Sequence, residues 1–236
     1  MIFIVNNSAF MKVYLKENQF KNLVEARMDG FRVDYLTNCK SFEERVEYCK
    51  KMLGFPIGDG SSRIIFQLDD ETCLKLAKDE KGIAQNKEEM AVGLNRNEEY
   101  MPKVYNGTDE NNALWIVAEY VIPAREEDFY KVARVNFADV SKFAVFLDTY
   151  IETKALHIHL IAKSVLDEIA NKYGRNKRAV ELFKSICDFK STYNQYVGDL
   201  GRVENWGIAR RKGRTVFVML DTGLSKDVYN QFYNRR

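Results

Sequence analysis

The period of apolar positions changes several times along the chain. Residues 1–14 alternate loosely (MIFIV, then FMKVYL), which predicts a short strand or strand pair. Leu15–Met28 has helical spacing, closed by Asp29-Gly30. Ser41 with Glu44 three positions on forms a capping box; Phe42, Val46, Cys49 and Leu53 follow at helical spacing, and Gly54 supplies the stop. Two short apolar runs, IIFQL (64–68) and TCLKLA (72–77), flank Asp69-Asp70-Glu71 and predict a hairpin. A helix from about Gly82 to Asn97 comes next. Pro102 then opens KVYNG, and ALWIVAEYVIP reads as a buried strand. Arg125–Gln195 contains no proline and one glycine, Gly174, and is dominated by helical spacing (Phe143, Phe146, Leu147, Tyr150; Val180, Phe183, Ile186, Phe189). WGIARRKGRTVFVMLD returns to strands around Lys212-Gly213. The order predicts an α+β chain: an N-terminal extension over 1–54, a small strand-rich lobe over 55–123, and a helical lobe with a hairpin over 124–236. A cleft is expected between the lobes.

Composition narrows the class. The 236 residues include fifteen Phe and thirteen Tyr, too many aromatics for a disordered chain. Charges nearly cancel, at 36 basic against 34 acidic, so neither a nucleic acid nor an acidic membrane surface is expected as a partner. No run approaches the ~20 apolar residues of a membrane span, and MIFIVNNSAF lacks the basic start and long apolar core of a signal peptide. Cys39, Cys49, Cys73 and Cys187 contain no C-x-x-C pair, and Cys49 and Cys73 read as small buried hydrophobes. A cytoplasmic protein with reduced thiols is expected. His157 and His159, two apart, point to different helix faces and make a poor metal site.

Candidate chemistry lies in an ordered set of fragments. Gly58-Asp59-Gly60-Ser61-Ser62-Arg63 precedes IIF; two close glycines let backbone N–H groups approach phosphate, although the fragment alone reads as a turn. Lys75 sits in an apolar strand and needs a partner for its ammonium, and Glu88 and Glu89 follow on the next helix. Asp199 and Asn205 in GDLGRVENWG, and Asp221 after VFVML, offer hard oxygen ligands suited to Mg²⁺; turn chemistry is the alternative for each. The basic cluster Arg210–Arg214 reads as a solvated turn, and Trp206 as packing against the hairpin.

Taken in order, these fragments resemble the protein-kinase-like superfamily. Gly58-x-Gly60-x-x-Arg63-x-Ile65 is similar to the kinase glycine-rich loop, with Arg63 replacing the third glycine and either touching phosphate or obstructing it. Thr72-Cys73-Leu74-Lys75 is similar to V-A-I-K, which implies that Lys75 contacts phosphate, with Glu89 as its helix partner and Glu88 the alternative. Val117–Val121 resembles the fifth strand and hinge, so Ala118 would be the gatekeeper and the backbones of Glu119 and Val121 would face adenine. Asp199 and Asn205 resemble the catalytic-loop pair, and Asp221-Thr222-Gly223 resembles D-F-G. The resemblance thus implies a two-lobed fold that binds ATP and Mg²⁺, with Gly58, Gly60, Ser61 and Ser62 over the phosphates and Asn205 and Asp221 on the metal.

The departures matter too. Val197-Gly198-Asp199 lacks the His-Arg of protein kinases and is closer to the H-G-D of aminoglycoside phosphotransferases, without the His. Asp199 and Asn205 are six apart where both families have five. The fifteen residues after Asp221 leave no room for an A-P-E segment and its helical platform. LGFPIGDGSSR, LKLA and GIAQN are also similar to kinase-like proteins of tailed bacteriophages, which would imply a host cytoplasm. The activity implied is phosphoryl transfer from ATP to an unknown acceptor, expected to be a protein. The alternatives are a pseudokinase scaffold that binds another protein, and adenylyl transfer with ATP reversed.

Overall fold

The computed structural model describes residues 30–93, 98–108, 112–152 and 167–233, together with the backbone of two short strands near the N-terminus. Those strands, β1 (Ile2–Ile4) and β2 (Val13–Leu15), pair antiparallel. The helix expected after Leu15, and His157 and His159, lie outside the described residues.

The small lobe is one antiparallel sheet with both faces covered. Its strands are β3 (Gly58–Asp59), β4 (Arg63–Gln67), β5 (Thr72–Ala77), β6 (Val104–Gly107) and β7 (Trp115–Glu119), in spatial order β3-β4-β5-β7-β6. The β4–β5 hairpin turns where Asp69 Oδ1 accepts from the N–H groups of Glu71 and Thr72, an aspartate closing its own turn. Because side chains alternate across a strand, Ile64, Phe66, Leu74, Leu76 and Trp115 share one face, and Arg63, Lys75 and Ile116 the other. The first face packs on α1 (Tyr35–Asn38) and α2 (Phe42–Leu53) through Leu36, Val46 and Cys49. Ser41 caps α2 as expected, accepting from Glu44 N at 3.2 Å, but the Glu44 carboxylate accepts from Lys40 N, one residue outside the usual box. The second face carries α3 (Glu80–Gly93), whose Met90 packs with Val104, Ala113 and Ile116.

Only Tyr120 and Val121 separate β7 from β8 (Ile122–Pro123), which pairs with the hairpin of the other lobe, β9 (Trp206–Arg211) and β10 (Arg214–Met219). That hairpin turns at Lys212 (φ 49°) and Gly213 (φ 77°); two successive positive φ angles give the tight turn that matches strand twist. The helical block resolves into α4 (Glu126–Ala133), α5 (Phe137–Glu152), helical residues 167–173, and α6 (Lys177–Tyr193). Its core has Phe129 stacked on Phe217 with centroids 4.1 Å apart, and the edge of Trp206 5.4 Å from Phe129. The architecture is α+β and two-lobed. A terminal helix, α7 (Lys226–Phe232), capped by Ser225, was not expected from sequence and packs beside α3.

Candidate active site

Four charged side chains from four elements meet between the lobes. Lys75 on β5 and Arg63 on β4 both donate to Glu89 on α3, a carboxylate with no solvent exposure; the Arg63 bond is 2.5 Å. Glu88, the alternative partner, is half-buried, and its carboxyl is pushed up by burial against the opposing hydrogen bond of Ser225. Arg63 reaches further: its second terminal nitrogen donates to Asp221 Oδ1 at 2.9 Å, and its first also meets Asn86 Oδ1 at 3.4 Å. Lys75 Nζ lies 3.4 Å from the Leu220 carbonyl, so the ammonium is fixed beside Asp221. Burial works against charge at Glu89, but Lys75 and Arg63 outweigh it and hold the carboxyl below its ordinary range. Arg63 is likewise opposed by burial and held charged by Glu89 and Asp221.

The segment carrying Asp199 is built as a scaffolded turn. Residues Gly198–Gly201 and Val203–Asn205 form two successive 3₁₀ turns, which carry Asp199 and Asn205. Asn205 Nδ2 donates to the Asp199 carbonyl at 2.8 Å, and the Asn205 carbonyl accepts from Leu220 N at 2.9 Å. Asn205, Asp199 and Asp221 are therefore brought to one end of the β9–β10 hairpin. Asp199 is half-buried and its carboxyl is pushed up, first by burial and then by the Asp221 charge. Beneath the turn, Asp148 on α5 accepts from Gly198 N and pairs with Lys190 on α6, both side chains being buried. Burial raises the Asp148 carboxyl in spite of Lys190.

The remaining expected residues are distributed unevenly. Gly58 and Asp59 make up β3, and Gly60 and Ser61 follow in an exposed turn in which Gly60 N donates to Arg63 O at 2.9 Å. Ser62 is turned inward, its hydroxyl donating to Gln85 Oε1 at 2.5 Å, so that its side chain faces α3 and not the cleft. Ala118 is buried at the end of β7 next to Ile116. The Glu119 N–H donates to Lys103 O at 2.8 Å, and the Glu119 carbonyl accepts from the Cys73 thiol at 3.6 Å. The Glu119 carboxylate is held by both terminal nitrogens of Arg211. Within the basic cluster Arg211 turns onto Glu119, while Arg210, Lys212 and Arg214 stay exposed as expected of a solvated turn, with Lys212 and Arg214 pairing with Glu99 at the surface. A charge in the apolar stripe of a helix was the available signal for Asp148 and Lys190.

The Asp221 segment is close-packed. Gly223 lies so near the Gln85 carbonyl on α3 that a Cβ would collide with it. Beyond it α7 returns to α3: Gln85 Nε2 donates to the Tyr233 hydroxyl at 3.1 Å, and Lys81 sits over the Tyr233 ring.

A strand lysine ion-paired to a helix glutamate, beside an Asp-x-Gly after a hairpin and an Asp–Asn turn, resembles the arrangement found in kinases. The α+β, two-lobed fold is of the kind that the resemblance in sequence implied.

No family model matches the chain, and no curated protein matches it in sequence. Among solved structures, the chain is similar to the streptomycin–ATP ternary complex of APH(2")-IIa, at 16% identity and a TM-score of 0.34, covering 78% of this chain and 71% of that one. It is similar in the same way to the gentamicin complex of APH(2")-IIa, at 15% identity and a TM-score of 0.32, with the same coverage.

Two fit tests follow from the geometry. For a polyphosphate, Lys75 offers a buried ammonium oriented by Glu89, two strands from the strand that carries Gly58. Mg²⁺ on Asn205 and Asp221 does not fit the arrangement as it stands, since a guanidinium already holds the Asp221 carboxylate. No group of three or more His, Cys, Asp or Glu converges as a metal site among the described residues. A cavity of about 400 Å³ between α4, α6 and β10, lined by Tyr100, Val132, Leu182 and Phe217 among others, shares no residue with the charged cluster. No helix among the described residues is long and apolar enough to cross a membrane.

Proposed function

We propose that this chain is an ATP-dependent phosphotransferase acting on a hydroxyl acceptor, with a protein as the expected acceptor. The observation that carries the reading is the buried Lys75–Glu89 pair placed 3.4 Å from the carbonyl preceding Asp221. Phosphoryl transfer asks little covalent chemistry of a protein and depends on positioning and charge stabilisation. Lys75, fixed by Glu89, meets the transferred end of the nucleotide; the Gly58–Ser61 turn covers the phosphates; Ala118 and the Glu119 and Val121 backbones border the base. Asp199 accepts a hydrogen bond from the acceptor hydroxyl and orients it. Its raised pKa makes it a better proton acceptor than an ordinary aspartate once ionised. ATP brings the phosphoryl group, and these residues bind and align it. The three-part division at 54 and 123 is the working domain map of that reading.

One observation favours a second reading. The hold of Arg63 on Asp221 suits a protein that binds nucleotide without turning it over, acting as a pseudokinase scaffold.

Calorimetric titration of ATP into the wild type and Lys75→Met tests the proposal. Arg63 still neutralises Glu89 in that variant, so it is expected to fold and to bind ATP about tenfold or more weakly, for loss of one charge-assisted contact. Absence of binding to the folded wild type overturns both nucleotide readings. With γ- and α-labelled ATP, transfer of the γ label supports the kinase, of the α label adenylyl transfer, and of neither the scaffold.

A further inference from the structure

Arg63 occupies an unusual electrical position. It lies on β4 opposite Ala77, whose small side chain leaves room for the guanidinium to turn under the sheet. Only 9% of its side chain is exposed, yet it bridges two carboxylates from opposite lobes, Glu89 and Asp221. A planar fork can do this with separate nitrogens, whereas a lysine ammonium on a flexible stem is a single point charge. Counting the cluster, Lys75 and Arg63 balance Glu89 and Asp221. The cleft is therefore neutralised from within, and Asp221 has a cation partner before any ligand arrives.

We propose that Arg63 is an internal counter-cation that closes Asp221 to divalent metal, so that a metal ion enters only together with phosphate. A divalent cation brought to Asp221 while Arg63 remains would lie within a few ångströms of a like charge in a poorly screened site. Moving the guanidinium without a replacement would strand it, buried and with half its pairing lost. A polyphosphate supplies the replacement, because its oxygens are strong acceptors for a guanidinium fork. A bound polyphosphate would give Arg63 other acceptors, and Asp221 would then be open to hold a divalent ion. Arginine at the third glycine position, which looks like an obstruction in sequence, becomes the device that couples the two ligands. The nucleotide step rests on the phosphotransferase reading; the exclusion of metal from the nucleotide-free protein does not.

The test is titration of Mn²⁺ alone into the nucleotide-free protein, with free Mn²⁺ followed by electron paramagnetic resonance. Arg63→Met keeps the apolar stem and removes the charge. It is expected to bind Mn²⁺ about tenfold or more tightly than the wild type, within the usual range of site-to-site coupling. Asp221→Asn in the same background should cancel the gain. Equal Mn²⁺ affinity in the wild type and a folded Arg63→Met overturns the proposal, as does a gain that survives Asp221→Asn. Should Arg63→Met fail to fold, Arg63→Lys keeps a cation for Glu89 without the two-carboxylate bridge, and it too must bind Mn²⁺ more tightly than the wild type. Failure of the wild type to bind ATP would remove the phosphotransferase reading and leave the Mn²⁺ contrast standing.

Discussion

Two buried charge centres among the described residues are built on opposite principles. Under the sheet, Glu89 receives two cations, and its carboxyl is held below the ordinary range despite complete burial. Under the Asp199 turn, Asp148 receives one, Lys190, and its carboxyl stays raised, as does that of Asp199 above it. The first centre favours its charged form, two cations balanced by two carboxylates, which fixes the geometry of the cluster. The second keeps its carboxyls nearer to neutrality, which suits a group that takes up a proton. Cation supply, not burial alone, separates the two roles.

The contrast breaks most visibly at Glu89. Glu89→Gln leaves two buried cations sharing Asp221 and should cost about 3–5 kcal/mol in chemical denaturation, the range for a buried pair that loses one partner. Lys75→Met should cost clearly less, because Arg63 still neutralises Glu89. Equal losses would show that the carboxylate is not the hub. The pH dependence carries the same sign. A depressed Glu89 pKa gives stability that is present above the unfolded value near 4.5 and lost as pH falls through the lower folded value. Acid denaturation of Glu89→Gln should therefore be flatter below that pH than wild type.

Asp148→Asn sharpens the other side. The amide oxygen can still accept from Gly198 N, but Lys190 loses its charge partner, so a cost of about 3 kcal/mol is expected. Removing a negative neighbour should also move the Asp199 carboxyl down toward its ordinary 3.8, read by carbon NMR titration of that carboxyl. An Asp199 pKa unchanged by the substitution would mean that burial and the Asp221 charge set it without Asp148. Stability held by a raised carboxyl runs opposite to that of Glu89: it is present at low pH and lost as pH rises through the folded value.

The smallest effect tests how the Asp221 segment is seated. Gly223→Ala places a methyl against the Gln85 carbonyl and should cost about 1–3 kcal/mol by overpacking, measured as a lower melting temperature. A change below about 0.5 kcal/mol, the size of an indifferent surface substitution, would show that the segment and α3 are not in that contact.

What the sequence made legible was local or paired through a recognisable order. The Ser41 cap, the Asp69 turn, the Lys212-Gly213 hairpin and the alternation that puts Lys75 opposite Leu74 and Leu76 all follow from neighbours a few residues away. The pairing of Lys75 with Glu89 was within reach because strand and helix are consecutive. Ser62 and Arg211 leave the solvent that turn residues ordinarily face for a common reason. Polar side chains in turns are solvated by default, and only the placement of α3 and of the hinge turned Ser62 inward and drew Arg211 onto Glu119. Asp148 and Lys190 left a trace, two charges within apolar helical stripes, but a stripe does not say what a buried charge will face.

By itself, then, the sequence determined the order of the longer strands and helices, several caps and turns, and the set of polar residues available to a cleft, since each depends on short-range sterics and periodicity. Tertiary structure alone decided which charges meet. Arg63 and Asp221 are separated by 158 positions, and no local rule distinguishes a guanidinium that awaits phosphate from one that already holds a carboxylate. That choice is made by the closure of two lobes around a small buried volume, where every charge must find a partner or be lost to solvent.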